Sequence, residues 1–158
     1  VATVSVQVTG LTDVLKVFQQ LENDFGDKMA RSKVLVPAVR EAMKPVLAQA
    51  RADSPIDTGG LRRSLQVEAR RPTRKDKSSK YVSSTDTVIA LVTTAPGKKL
   101  AKMGIKSDAR AIAQEFGTAK NPAHPYLRSA LETQSSAVVD NLKNILVRRM
   151  DTFRKKMT

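Results

Sequence analysis

The sequence contains no cysteine and no tryptophan, a single histidine, and only 4% aromatic residues in a chain of 158. Without cysteine there are no disulfides, no thiolate nucleophile and no Cys-based zinc or iron–sulfur site, so packing alone must hold the fold. One histidine among scattered carboxylates does not make a zinc ligand set, and neither a metal nor a cofactor is expected. Scarce aromatics remove the stacking platforms on which single-strand and RNA binders rely. No window reaches the roughly 18 apolar residues of a membrane span. The opening "VATVSVQVTG" has no basic flank, so the expectation is a soluble, unsecreted protein with no membrane partner.

The residues for catalysis are equally sparse. A hydrolase needs a nucleophile with an oriented base, yet the sole imidazole, His124, lies between Ala123 and Pro125, and no serine sits in a GxSxG elbow. His124 therefore reads as a structural residue at a turn, and the chain as a non-enzyme. "DTGGLRRS", 57–64, sets two glycines ahead of basic residues but lacks the GK[ST] ending and the preceding strand of a phosphate cradle. It reads as a helix-to-strand turn.

What the chain has in excess is positive charge, +13 in all. Residues 1–61 balance 7 basic against 7 acidic side chains, whereas 62–110 carry +9 and 111–158 carry +4. Such a balance implies a polyanionic partner, nucleic acid or an acidic protein surface. The excess gathers in two stretches. "RRPTRKDKSSK", 70–80, holds Arg70, Arg71, Arg74, Lys75, Lys77 and Lys80; "APGKKLAKMGIKSD", 95–108, holds Lys98, Lys99, Lys102 and Lys106. With so little to bury, these are expected as mobile loops at about 70–86 and 95–108 that touch a partner or DNA.

Hydrophobic periodicity supplies the scaffold. "TVSVQV" alternates like a half-buried strand over 3–8, and "TVIALVTT", 87–94, is a β-branched strand; a third strand is expected near 64–70. Leu11, Val14, Leu15, Phe18, Leu21 and Phe25 recur at helical spacing, and so does the apolar set from Val34 to about Ala52. Pro37 suits a first turn, and Pro45 predicts a kink because it has no amide donor for the Glu41 carbonyl. A long helix is expected beyond Pro125. The reading is α+β, a single domain over 1–158: a small antiparallel sheet packed against a kinked helix and a long C-terminal helix.

One acid stands apart. Glu115 lies among Ala111, Ile112 and Phe116, neighbours that place this segment against the core; if buried it needs a cation, from Arg62, Arg63 or Arg128. The alternative is an ordinary exposed glutamate.

Two blocks then bring a family into view. "PVLAQARADSPIDTGGLRRSLQVEA", 45–69, and "AIAQEFGTAKNPAHPYLRSALE", 111–132, resemble the tail-component family of tailed bacteriophages, with its head–tail joining, tail-completion and minor-tail-protein-Z-like members. Pro55, Asp57, Thr58, Gly59 and Leu61 stand in the family's Pro-x-x-Thr-Gly-x-Leu-like turn. Glu115, Phe116, Gly117 and Thr118, then Pro122, His124, Pro125, Tyr126, Leu127 and Ala130, match its second block, with Tyr126 where Phe is usual and Ser129 where Pro is frequent. The basic insert between the blocks is the main departure.

The resemblance implies a virion protein of the tail or neck, made in the host cytoplasm and assembled as a ring, commonly sixfold, through which DNA leaves the head. Neighbouring tail-terminator, tail-tube or head-connector proteins would be its partners, with non-specific DNA contact in the lumen. In that setting "EFGTAKNPAHPYL" reads as a rigid corner that seats the last helix and presents a subunit or partner contact. The competing reading is a non-specific nucleic-acid-binding architectural protein working through the basic loops. It explains the charge but leaves the neutral first third and both blocks without a role.

Overall fold

The three-and-four spacing through Phe18, Leu21 and Phe25 folds as helix α1, Thr12–Phe25, in the computed structural model of the protein, which describes residues 12–55, 59–80, 82–105 and 114–157. The strand expected over 3–8 lies outside the described residues. α1 stops at Gly26, whose φ of +88° is open to glycine at little cost, and the chain restarts at once as α2, Asp27–Ala30. Arg31–Leu35 then widen into a π turn in which the Val36 N–H donates to the Arg31 carbonyl, five residues back. Pro37 sits in the first turn of α3, Val36–Ala42, the position it suits. At Met43 the regular helix breaks, and α4, Lys44–Asp53, follows. The break falls two residues before Pro45, as a ring without an N–H demands. The helix expected from Val34 is thus an interrupted series that begins earlier.

Two strands are present among the described residues. Leu65–Arg70 forms β1 and Ile89–Thr94 forms β2, paired antiparallel, and the Ala95 N–H extends the ladder to the Ser64 carbonyl at 2.7 Å. A short helix α5, Gly60–Ser64, leads into β1. The basic stretches each hold a brief helix, α6, Arg74–Lys77, and α7, Gly97–Lys102. α6 has a local cause: the Thr73 hydroxyl accepts from the Asp76 N–H, while the Asp76 carboxylate accepts from the Thr73 N–H at 2.7 Å. This is a capping box inside a segment whose composition argues for loop. The last element is α8, Leu127–Met157, of 31 residues. The fold is α+β, with a two-stranded antiparallel sheet, a bent helix and a long C-terminal helix.

The chain divides into two compact units. One contains Lys44–Val67 and Val92–Ala137. Its buried apolar residues include Val46, Ala50, Leu65, Leu100, Tyr126 and Ala130. Arg51 donates to the Leu65 carbonyl at 2.8 Å, and Gln134 in the first part of α8 donates to the Gln49 side chain at 3.2 Å.

The other unit contains α1 to α3, Glu68–Leu91 and the remainder of α8 from Val138. Its core is a cluster of Phe18, Leu21, Ala30, Val34, Ala38, Leu146, Met150 and Phe153. Ala30, Val34 and Ala38 repeat every four residues through the π turn, and Leu146, Met150 and Phe153 do the same work on α8. Phe25 meets Phe153 edge to face, centroids 5.2 Å apart, a geometry that aromatic quadrupoles favour.

Burial of this kind makes a direct prediction. Leu21→Ala, at a fully buried position, lowers unfolding free energy by about 2–5 kcal/mol. Leu15→Ala on the same helix, where the side chain is 53% exposed, changes it by less than about 0.5 kcal/mol. Urea denaturation followed by circular dichroism measures both.

Candidate partner-docking corner

Every α-helix begins with backbone N–H groups that no carbonyl of its own can accept. α8 solves this with a side chain from eleven residues upstream. The Glu115 carboxylate, 3% exposed, accepts the Tyr126 and Leu127 N–H groups at 2.8 Å each and the Arg128 N–H at 3.1 Å. Arg128 completes the arrangement, donating from Nε to the same carboxylate at 2.9 Å and from its terminal nitrogen to the Glu115 carbonyl at 3.0 Å. Burial pushes the Glu115 carboxyl up. The amides of Leu127 and Arg128, the Arg128 side chain and the Tyr126 amide outweigh that, so it ionises below its ordinary value. Of the three candidate cations, Arg128 is the partner, and the exposed alternative is excluded.

The path from Glu115 to Tyr126 is closed by backbone bonds. His124 donates its N–H to the Gln114 carbonyl at 2.8 Å, and Thr118 donates to Asn121 at 2.9 Å. The Thr118 hydroxyl accepts from the Lys120 and Asn121 N–H groups at 3.3 and 3.1 Å. Gly117 has a φ of +76°, and a Cβ built there would lie 2.7 Å from the Ala123 nitrogen, so both angle and space demand glycine. Pro122, His124 and Pro125 are exposed along this path, and the part of His124 that bonds is its backbone. Tyr126 is buried beneath the corner at 2% exposure. Burial, helped by the Glu115 charge, pushes its hydroxyl up to about 12, and its oxygen has no hydrogen-bond partner among the described residues.

Phe116 departs from the expectation that its neighbourhood turns inward. It is 57% exposed. The Arg128 guanidinium lies 5.3 Å from its ring centroid. One arginine thus ties the carboxylate, the carbonyl and the aromatic face together, a role that no local spacing announces. The result is a hydrogen-bonded loop that holds an exposed aromatic ring beside a guanidinium.

The first block, as far as Val67, lies in the same compact unit. Gly59, at a φ of +72°, precedes α5, with Gly60 buried and Leu61 half-buried behind it, while Pro55 is exposed. Asp57 and Thr58 lie outside the described residues. The basic stretches belong to different units, 70–80 to one and 98–102 to the other. Their cations are not equivalent. Arg70 bonds both Glu68 and Asp76, Lys77 donates to the Ser84 carbonyl at 3.3 Å, and Lys99 donates to Gln66 at 2.7 Å. Arg71, Arg74, Lys75, Lys98 and Lys102 are exposed, with no ion pair among the described residues; Lys106 lies outside them. Among the described residues no cluster of potential metal ligands occurs, and no helix is long and apolar enough to cross a membrane.

Comparison with known families gives one finding. A family model described as "Bacteriophage HK97-gp10, putative tail-component" matches residues 16–117, most of the chain. That span takes in the first block, both basic stretches up to Lys106, and Glu115, Phe116 and Gly117 of the second block. No curated protein and no solved structure matches the chain.

Removing the cap should be costly. Glu115→Ala strands three amides and a guanidinium and lowers stability by about 3 kcal/mol, measured as a drop in Tm and in the urea midpoint. Because the folded carboxyl ionises below the ordinary value of 4.5, its contribution is complete above that pH and is lost as pH falls through the folded value. The stability gap between the natural protein and Glu115→Gln therefore narrows below about pH 4.5. Tyr126→Phe removes a buried hydroxyl without a partner and raises stability by about 1 kcal/mol in the same assay.

Proposed function

Because the chain belongs to the HK97-gp10-like family of bacteriophage tail components, we propose that this structural tail protein is a ring-forming tail-completion or head–tail joining component. It would sit at the head-proximal end of the tail, where DNA passes out of the head. The observation that carries this reading is the corner: a loop fixed at Glu115, Gly117 and Thr118 that holds Phe116 outward beside Arg128. A loop already in its bound shape loses little conformational entropy on docking. Exposed aromatics and arginines are also the residues that dominate protein interfaces. The work of such a protein is fit to neighbouring copies and to adjoining virion rings, with no bond made or broken.

A second reading, a nucleic-acid-binding architectural protein, is favoured by the exposed cations Arg71, Arg74 and Lys75, which carry no ion pair among the described residues. Passing DNA and an acidic neighbouring ring both fit those charges. Tight duplex binding near physiological salt, with a steep fall as salt rises, belongs to the second reading alone.

Phe116→Ala separates docking from folding. The ring is exposed, so stability changes by less than about 1 kcal/mol, the size of the lost contact with Arg128. Native mass spectrometry and electron microscopy of tails assembled with this variant should show loss of the ring or of its incorporation. Unchanged assembly would overturn the reading.

A further inference from the structure

The compact unit formed by α1 to α3, Glu68–Leu91 and the later part of α8 carries a feature with no place in the corner or the basic stretches. Between the π turn and the end of α8 lies a cleft of about 290 Å³, lined by Lys33, Arg148, Arg149, Thr152, Phe153 and Lys156. Four of these six are cations, brought together from positions more than a hundred residues apart in sequence.

One carboxylate answers two of them. Glu41 bonds Arg148 and also accepts from Arg149 through Nε at 3.0 Å and a terminal nitrogen at 2.6 Å. Arg149 first, and then Arg148, hold the Glu41 carboxyl below its ordinary value against a counteracting desolvation, so it stays ionised and cancels a single charge. Lys33 and Lys156 are exposed and make no ion pair among the described residues. The cleft therefore keeps an excess of three positive charges around a nearly buried Phe153 wall.

We propose that this cleft is a docking site for an acidic peptide segment of a neighbouring protein, whose Asp or Glu side chains enter between Lys33 and Lys156. Size decides against duplex DNA. The cleft lies just below the roughly 300–1,000 Å³ of ordinary ligand pockets, which suits one or two side chains, and a duplex touches only its rim. Its mixed lining also matches a peptide: an apolar wall for side-chain carbons and cations for carboxylates. An acidic segment answers the three surplus charges of this cleft more fully than another copy of a chain with 28 basic and 15 acidic side chains. The proposal does not depend on the ring-forming reading, and neither Phe116 nor Arg128 takes part in it.

The test measures binding of a fluorescein-labelled hexaglutamate peptide, and separately of a 12-base-pair duplex, by anisotropy at fixed physiological salt. Lys33→Gln with Lys156→Gln should weaken peptide binding about tenfold, the equivalent of one charge-assisted hydrogen bond. Arg74→Gln with Lys75→Gln removes the same charge elsewhere and should change it less than about twofold. Lys33→Arg with Lys156→Arg keeps the charge and should keep the affinity, which separates a lost contact from a lost fold. Equal losses in both Gln pairs, no peptide binding by the natural protein, or a cleft dependence confined to the duplex would each overturn the proposal. So would dissociation of a preformed oligomer by the cleft pair, which would make the occupant another copy.

Discussion

The corner rests on one ionised carboxylate held at the start of a long helix. Glu115 satisfies three amides that α8 cannot satisfy itself, and its negative charge also lies at the positive end of the helix dipole. Replacing it with an apolar side chain would leave those donors buried and unanswered. The rest of the corner can be understood as what is needed to bring this carboxylate to that place. Gly117 lets the chain reverse where any Cβ would strike the Ala123 backbone, and the Thr118–Asn121 turn returns it. Arg128 then locks the junction from the helix side and, in doing so, lies against the outward ring of Phe116. A structural cap and an exposed aromatic ring thus share one guanidinium.

Charge in this protein is sorted rather than merely abundant. Arginines recur where geometry must be fixed: Arg70 with Glu68 and Asp76, Arg128 with Glu115, and Arg148 and Arg149 with Glu41. Their planar forks suit carboxylates held at two points. Many of the lysines face solvent, and Lys33, Lys75, Lys98, Lys102 and Lys156 make no ion pair among the described residues. The excess that composition announced is therefore carried in large part by flexible ammonium groups, while several of the arginines counted with them are already committed to the fold.

Some elements were legible because their cause is local. The spacing of Phe18, Leu21 and Phe25 marks α1, the β-branched run marks β2, and Pro45 marks a break that appears at Met43. Other features escaped a reading by composition. The basic stretch 70–80 looks like loop because it has almost nothing apolar, yet Thr73 and Asp76 three residues apart cap a helical turn there. The pair was visible in the sequence, but propensity averaged over the segment hides a two-residue device. The π turn at Arg31–Leu35 has no such pair to betray it, since the apolar positions keep a four-residue repeat straight through it.

The sequence by itself determined the amphipathic faces and the turn residues, because each depends on neighbours within a few positions, and over residues 16–117 it matches its family. It also determined that Glu115, if buried, must find a cation. Only the tertiary structure decided that the cation is Arg128, that Phe116 points outward although its neighbours are apolar, and that Lys33 shares a cleft with Arg148, Arg149 and Lys156. These outcomes depend on which surfaces meet after the chain has packed. Local periodicity carries no record of contacts between residues that are far apart along the chain.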